Sequence, residues 1–454
     1  MNSRVVFWVA TVFLLSVIFP AQLKAEEELK IGDSIERHIE EWLEMYRHFH
    51  AHPELSFHEK ESSAYLARQM RAAGFEVTEN FGEYGSEGYT SYGVVAVLRN
   101  GDGPTVLVRT DMDALPVTEE TGLPYASTVR VEDDGGGEIG VMHACGHDIH
   151  MTNFIGVGRI LSEHRELWKG TLIMIGQPAE EMGSGAEAML RGGLYEQFPR
   201  PDYALTLHLH DSLPAGSVGY TPEYAMANVD SVDILVKGVG GHGALPHNTK
   251  DPIVVAARII LGLQTISSRL ISPLDPVVVT VGSIHGGTKH NIIPDRVKLE
   301  LTVRTYKPEV RSRVLEAIET ISRNTAAAQG IPDDLLPVVS TPENDIYTPA
   351  VYNDPELTER LSRVFRNELG EEKVTVLDPV MPGEDFSRYR MEDNQVPSFL
   401  FWLGSLNPEK ARRLKESGET PPPLHSPMLA PDPEPTLRAG VKAMSSAVLE
   451  LMRK

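Results

Sequence analysis

The stretch His143-Ala-Cys145-Gly-His147-Asp148-Ile-His150 gathers imidazoles around the only cysteine of the chain. A lone cysteine cannot form an internal disulfide, so its use lies in packing, nucleophilicity or metal ligation. Gly146 lets the backbone turn so that Cys145 and His147 can face one ion. Thiolate and imidazole together suit zinc and related transition metals. The plainer alternative is a buried structural cysteine beside exposed histidines, and residues elsewhere in the chain must decide between the two.

Those residues follow short apolar runs. Thr105–Arg109, Thr171–Ile175 and Tyr203–Leu207 have the composition of buried strands, with helical spacing at Thr152–Glu163 and Ala186–Arg191 between them. Strands alternating with helices predict an α/β fold with a mixed, mostly parallel sheet. Asp111 and Asp113 follow the first strand, Glu180 and Glu181 the second, and His208 the third. Open α/β sheets bind ligands at the carboxyl ends of their strands, so this placement favours one shared site. Each residue also has a plainer reading. His208 alone could be a core histidine, with His210 as a competitor, and Glu180-Glu181 could be a solvated acidic pair opening a helix.

At 454 residues two domains are expected. The net charge of −22 argues against nucleic-acid or anionic-membrane surfaces, which need clustered Lys and Arg. Arg4, the apolar run Val5–Phe19, Pro20 and small Ala25 have the form of a secretory signal over residues 1–25, too short for a spanning helix. That predicts a secreted or periplasmic protein with no membrane attachment once the signal is cleaved. In an oxidising compartment, metal ligation would protect Cys145.

Helical spacing recurs at Ser34–Tyr46 and Ser62–Ala73. From about Ala225 the pattern becomes strand, helix, strand, strand, helix, strand: Val229–Val236, Pro252–Leu270, Val277–Ile284, Val297–Arg304, Pro308–Gln329 and Leu335–Val339. That order predicts an inserted ferredoxin-like α+β domain over 225–340, dividing a catalytic domain into 30–224 and 341–454. Leu357–Glu368 and Pro435–Met452 look helical, and Phe399–Leu403 is a strand returning to the first sheet. Flexible connections are expected at Gly82–Gly93, Glu132–Gly140 and Glu416–Pro423.

In order, Pro53-Glu-Leu-Ser-Phe57, Arg109-Thr-Asp111-Met-Asp113-Ala-Leu-Pro116, the His143–His150 stretch and Gln177-Pro-Ala-Glu180-Glu181 appear along the chain. His208 before Leu213-Pro214, Gly241-His242, Asn291-Ile-Ile-Pro294, Gly383-Glu-Asp-Phe386 and Leu424-His425-Ser-Pro427 follow. This ordered set resembles the zinc-peptidase and aminoacylase family, within it the amidohydrolase branch of hippurate and indole-acetyl-amino-acid hydrolases. The resemblance runs from about Arg47 to the C-terminus.

The resemblance implies a metal-dependent amidohydrolase cleaving N-acyl amino acids or related small peptides. It implies Cys145, His147, Glu181, His208 and His425 as ligands of two divalent ions, zinc or manganese with cobalt or nickel possible. Glu180 would be the general base and Asp113 would orient a ligand. His242 in the lid loop would stabilise the oxyanion in the partner subunit of a homodimer joined through the inserted domain. Asn291 and Arg304 would contact the substrate, although Arg304 on a strand is as often an ion-pair partner. Asp111 stands where many relatives outside this branch carry a metal-binding histidine, and it is left out of the ligand set. Ile149 replaces the branch's usual glycine and is expected to narrow the pocket; Gly243 replaces a common alanine and is expected to loosen the lid loop. His48, His50, His52 and His58 do not share a helix face and are not expected to ligate.

Three functions compete on the sequence alone: this hydrolase, or an exopeptidase or dipeptidase of the same fold; an enzyme using Cys145 as a covalent nucleophile; and a non-catalytic metal-binding protein. Glu180 beside Glu181 separates them best, because a scaffold for metal needs no spare carboxylate.

Overall fold

A computed structural model describes residues 29–85, 88–132, 135–341, 347–390 and 396–453. The expected signal at 1–25 lies outside them. By contacts the chain divides into two compact units. The first takes the described parts of Met1–Tyr220, Asp354–Leu377 and Asp393–Lys454, and the second those of Thr221–Asn353 and Asp378–Glu392.

The first unit is built on an eight-stranded sheet in the order Glu76–Phe81, Gly93–Asn100, Gly170–Gln177, Thr105–Asp111, Tyr203–Pro214, Ser398–Leu406, Val218–Tyr220, Val374–Val376. Thr105–Asp111 runs parallel to both of its neighbours, and Ser398–Leu406 runs parallel to Tyr203–Pro214. Gly93–Asn100 lies antiparallel to Gly170–Gln177. The central strands are buried along nearly their whole length, the pattern of a sheet covered on both faces. Helices 29–51, Lys60–Ala72, His147–Glu163 and Pro433–Met452 supply much of that cover, with Trp42, Met70, Phe154 and Val448 fully or almost fully buried in the common core.

Several local expectations change here. The third strand does not stop before His208 but runs to Pro214, because Ser398–Leu406 pairs with it along that length and sets Trp402 opposite His208. Helix Thr152–Glu163 starts earlier, at His147, where Gly146 turns the chain at φ +84°. A Cβ on Gly146 would lie 2.7 Å from Leu209 Cδ2, so this residue must be glycine on two counts. Ile149, which stands where the branch usually has glycine, is fully buried in the apolar core. The loop expected at Glu132–Gly140 is instead flanked by a small ribbon, Arg130–Glu132 against Glu138–Gly140.

The second unit holds a four-stranded antiparallel sheet in the order Val278–His285, Arg296–Arg304, Asp230–Lys237, Val338–Ser340. Helices Pro252–Leu263 and Pro308–Ala328 complete the βαββαβ order of a ferredoxin-like unit. Asp230–Lys237 alternates buried and half-buried residues, the period of a strand with one covered face. The first helix begins with Asp251 accepting the Ile253 N–H at 2.9 Å and Pro252 in its first turn. The unit is wider than 225–340. Glu223–Met226 pairs with Val351–Asn353, and the Ala227 N–H donates to the Val380 and Pro382 carbonyls, drawing 378–390 into it.

Candidate metal centre

Five donors from four separate parts of the first unit converge. Cys145 ends the loop before helix His147–Glu163, and His147 is the first residue of that helix. Glu181 lies in the turn after strand Gly170–Gln177, and His208 sits within strand Tyr203–Pro214. His425 is delivered by a loop whose Leu424 N–H donates to Asp211 Oδ2 at 3.0 Å and whose His425 N–H donates to the Ala144 carbonyl at 2.7 Å. His425 takes a left-handed φ of +66°, a conformation unfavourable for a non-glycine residue unless its surroundings fix it.

Cys145 belongs to two donor triads, one with His147 and His208 and one with Glu181 and His425, in each of which the ligand atoms lie within 4.8 Å of one another. Cys145 Sγ is 3.5 Å from His208 Nε2, and His425 Nε2 is 3.6 Å from Glu181 Oε1. Ring orientation suits ligation. His208 donates from Nδ1 to the Leu209 carbonyl at 2.8 Å, and His147 from Nδ1 to the Asp113 carbonyl at 2.8 Å, so each turns Nε2 to the cluster. The Trp402 ring lies across His208 with centroids 5.6 Å apart.

Asp113 accepts from the Ser56 hydroxyl at 2.7 Å and from the Glu181 N–H at 3.0 Å, while Oδ1 lies 3.4 Å from His147 Nδ1. It therefore ties one donor to the backbone of another. Asp111 is committed elsewhere: Oδ2 accepts from Arg109 at 2.6 Å and Oδ1 pairs with His150 Nδ1 at 2.7 Å. His150 Nε2 accepts the Leu209 N–H at 2.8 Å, so both of its ring nitrogens are in use. Glu180 and Glu181 are not a solvated pair, with side-chain exposures of only 9% and 10%. Glu180 Oε2 lies 4.0 Å from His147 Nε2.

The electrostatics call for a cation. Asp111, Asp113, Glu180 and Glu181 crowd a buried volume with Arg109 as neighbour to one of them. Burial pushes the Cys145 thiol well above its usual range, and Glu181, Glu180 and Asp111 push it further. Burial also raises Glu181 to about 7, against the attraction of His147. Burial alone would depress His147, yet Asp111, Asp113 and Glu181 outweigh it and hold it up at about 10. His147 Nε2 and Glu181 Oε1 are buried with no hydrogen-bond partner among the described residues. Orphaned buried donor atoms in a mixed sulfur, nitrogen and oxygen set are what a divalent ion would satisfy, and the residues present fit one.

His242 and Asn291 lie in the second unit. Ribbon Gly241–His242 pairs with Ile292–Ile293, and the Gly243 N–H donates to the Asn291 carbonyl at 2.8 Å. His242 is exposed, its Nδ1 accepting the Ala244 N–H at 3.1 Å. Arg304 ends strand Arg296–Arg304 opposite Val278. Of the four histidines set aside as ligands, His50 has a structural role: it pairs with Asp148 at 2.7 Å and Glu119 at 3.1 Å. Sequence reasoning missed Ser56, although it lies inside the Pro53–Phe57 motif, and missed the burial of His50 between two carboxylates.

A model of peptidase family M20/M25/M40 matches residues 107–417. An N-acetylcysteine deacetylase of Bacillus subtilis is 35% identical over 81% of this chain and 89% of its own. Thermostable carboxypeptidase 1 of Saccharolobus solfataricus is 34% identical over 82% and 88%. Among solved structures, the Bacillus subtilis YXEP protein, a dinuclear metal binding peptidase from the M20 family, matches with a TM-score of 0.72. It is 29% identical, covering 92% of this chain and 99% of its own. With a family model spanning most of its length and relatives this similar over nearly their whole length, the chain belongs to peptidase family M20/M25/M40.

Proposed function

We propose that this protein is a metal-dependent amidohydrolase that cleaves the amide bond of N-acyl amino acids or related small peptides. The observation that carries the proposal is the pair of donor triads sharing Cys145, with buried Glu180 alongside. Cys145, His147, Glu181, His208 and His425 would hold two divalent ions, of which zinc and manganese suit the donors, as do cobalt and nickel. When bound, the ions supply Lewis acidity to the scissile carbonyl and acidify water to a pKa of about 7.

The chain's own groups do the rest. Glu180 Oε2 takes the proton of the attacking water and returns it to the leaving amine nitrogen. Asp113 fixes the ring of His147 and the backbone of Glu181 through contacts that need no ion. His242 donates to the developing oxyanion, a contact of a kind worth about 2.7–4 kcal/mol in the transition state. Asn291 and Arg304 contact the substrate's carboxylate or oxyanion, and a guanidinium fork matches a carboxylate in geometry.

The working unit is a homodimer through the second unit, with His242 serving the partner's site. Helix Pro252–Leu263 buries Val255, Ala256, Ile259 and Leu263 but leaves Ile253, Val254 and Leu261 exposed, Leu261 at 71%. Segment Pro252–Leu270 is apolar and long enough to cross a membrane, yet its inner face is core, and a second copy covering its outer face is the better reading. Among the described residues, strand Val278–His285 has a neighbouring strand on one side only, which leaves a sheet edge for a second copy. Export by the segment at 1–25 places the enzyme outside the cytoplasm.

A panel of N-acyl amino acids and unblocked dipeptides, assayed with each metal, tests the proposal. Turnover of the N-acyl series above the dipeptides supports it. Preference for free dipeptides would favour an exopeptidase or dipeptidase, and no hydrolysis of either series would leave a metal-binding protein.

A further inference from the structure

Glu180 and Glu181 have different tasks only if the turn carrying them points them differently. That turn starts at Ala179, whose φ of +48° is left-handed, a conformation costly for alanine. Both ends of the residue are held. The Ala179 carbonyl accepts from the Ser184 N–H at 3.2 Å and the Gly185 N–H at 3.1 Å. Its own N–H donates to Glu59 Oε1 at 2.7 Å. Gly185 must be glycine, because a Cβ there would drive into the Pro178 carbonyl.

Glu59 comes from far away in sequence and is fully buried. It occupies the N-cap of helix Lys60–Ala72 but its side chain makes no capping bond. Glu54 takes that task, accepting the Glu61 N–H at 3.0 Å and the Ser62 N–H at 2.7 Å. The Glu59 carboxyl is thus released to Ala179. Its second oxygen is buried with no partner among the described residues, a costly state to keep for packing alone. Burial and the nearby Asp113 raise its pKa to about 8, and a protonated acid still accepts the Ala179 N–H through its carbonyl oxygen.

We propose that Glu59 is a positioning residue that clamps Ala179 in the left-handed conformation and so sets the directions of Glu180 and Glu181. The proposal rests on the reading of Glu181 as a ligand and Glu180 as the base. Glu59→Gln keeps an acceptor for the N–H; Glu59→Met keeps the volume and removes it. Protein loaded with Co2+ reports the site by its visible spectrum, and amide exchange in the segment 178–185 reports the clamp without any metal.

The expected result is a Glu59→Gln protein with wild-type spectrum, wild-type amide protection and kcat within threefold. Glu59→Met should show a shifted spectrum, faster exchange at Ala179 and kcat at least tenfold lower with KM little changed. If Glu59→Met does not fold, Glu59→Asp answers the same question, since one methylene less withdraws the carboxyl from Ala179, and the same losses are expected. Unchanged exchange and spectrum in the variant without the contact would overturn the clamp. An unmoved spectrum in Glu181→Gln would instead overturn the ligand assignment, leaving the exchange result to decide the clamp.

Discussion

His50 gives the protein a stability that depends on pH in a direction the structure fixes. Its imidazole is 1% exposed and bridges Asp148 and Glu119, joining helix 29–51 to the start of helix His147–Glu163. Burial alone would lower its pKa, but hydrogen bonds to Asp148 and Glu119 win and raise it from 6.5 to about 9. A raised pKa means that the folded state holds the proton more tightly than the unfolded chain. The contribution is therefore complete below pH 6.5, shrinks as pH rises, and is gone above pH 9. At about 1.4 kcal/mol per unit, the shift corresponds to roughly 3 kcal/mol. The perturbation is His50→Gln, which keeps a donor but not the charge. Urea denaturation of wild type and variant, both metal-free, is run side by side from pH 6 to 9.5, so that titrations common to both cancel. The stability gap should narrow by roughly 3 kcal/mol over that range. Parallel curves, with a gap constant to within about 0.5 kcal/mol, would refute the bridge as a charged contact.

Three further outcomes follow from the site. Glu180→Gln should lose nearly all kcat and keep its metal, whereas Glu181→Gln should lose metal as well, as read by elemental analysis and single-substrate kinetics. Ser56→Ala removes one of the two hydrogen bonds to Asp113 Oδ2, leaving the Glu181 N–H as its donor, and metal affinity measured by chelator competition should fall by about 10–100-fold, as for other residues that orient ligands. Mixing Glu180→Gln subunits with His242→Ala subunits, each inactive alone, should restore activity up to half the wild-type level if His242 acts across the dimer. Proven heterodimers without recovery would place His242 in its own subunit's site.

The donors were legible because their chemistry is unusual in itself: a lone cysteine among histidines, paired glutamates after an apolar run, and a histidine in a proline-rich loop. The strand-end rule suggested one shared site for Asp111, Asp113, Glu180, Glu181 and His208, but the choice of Cys145, His147, Glu181, His208 and His425 as a ligand set came from the family resemblance. What supports them was harder to see. Ser56 meets Asp113 across 57 positions, His50 meets Asp148 across 98, and Glu59 meets Ala179 across 120. No local periodicity encodes such contacts. Strand Glu76–Phe81 escaped because it is a half-exposed edge rich in charge, lacking the apolar run of a buried strand. His208 looked like a strand-end residue because the polar run His210-Asp211-Ser212 follows soon after, and the long pairing with Ser398–Leu406 keeps that stretch extended. The width of the second unit was hidden for a similar reason, since 378–390 rejoins it after the chain has returned to the first sheet.

The proposed hydrolysis needs a metal centre held by Cys145 and its four partners. Metal content and turnover measured on the same sample, before and after chelation and after reloading, test it most directly. Active protein should carry close to two divalent ions per chain, lose turnover on chelation and regain it with zinc, manganese, cobalt or nickel. Full turnover in thoroughly metal-free protein, abolished only by alkylation of Cys145, would rule out the metal mechanism and make the thiol a nucleophile.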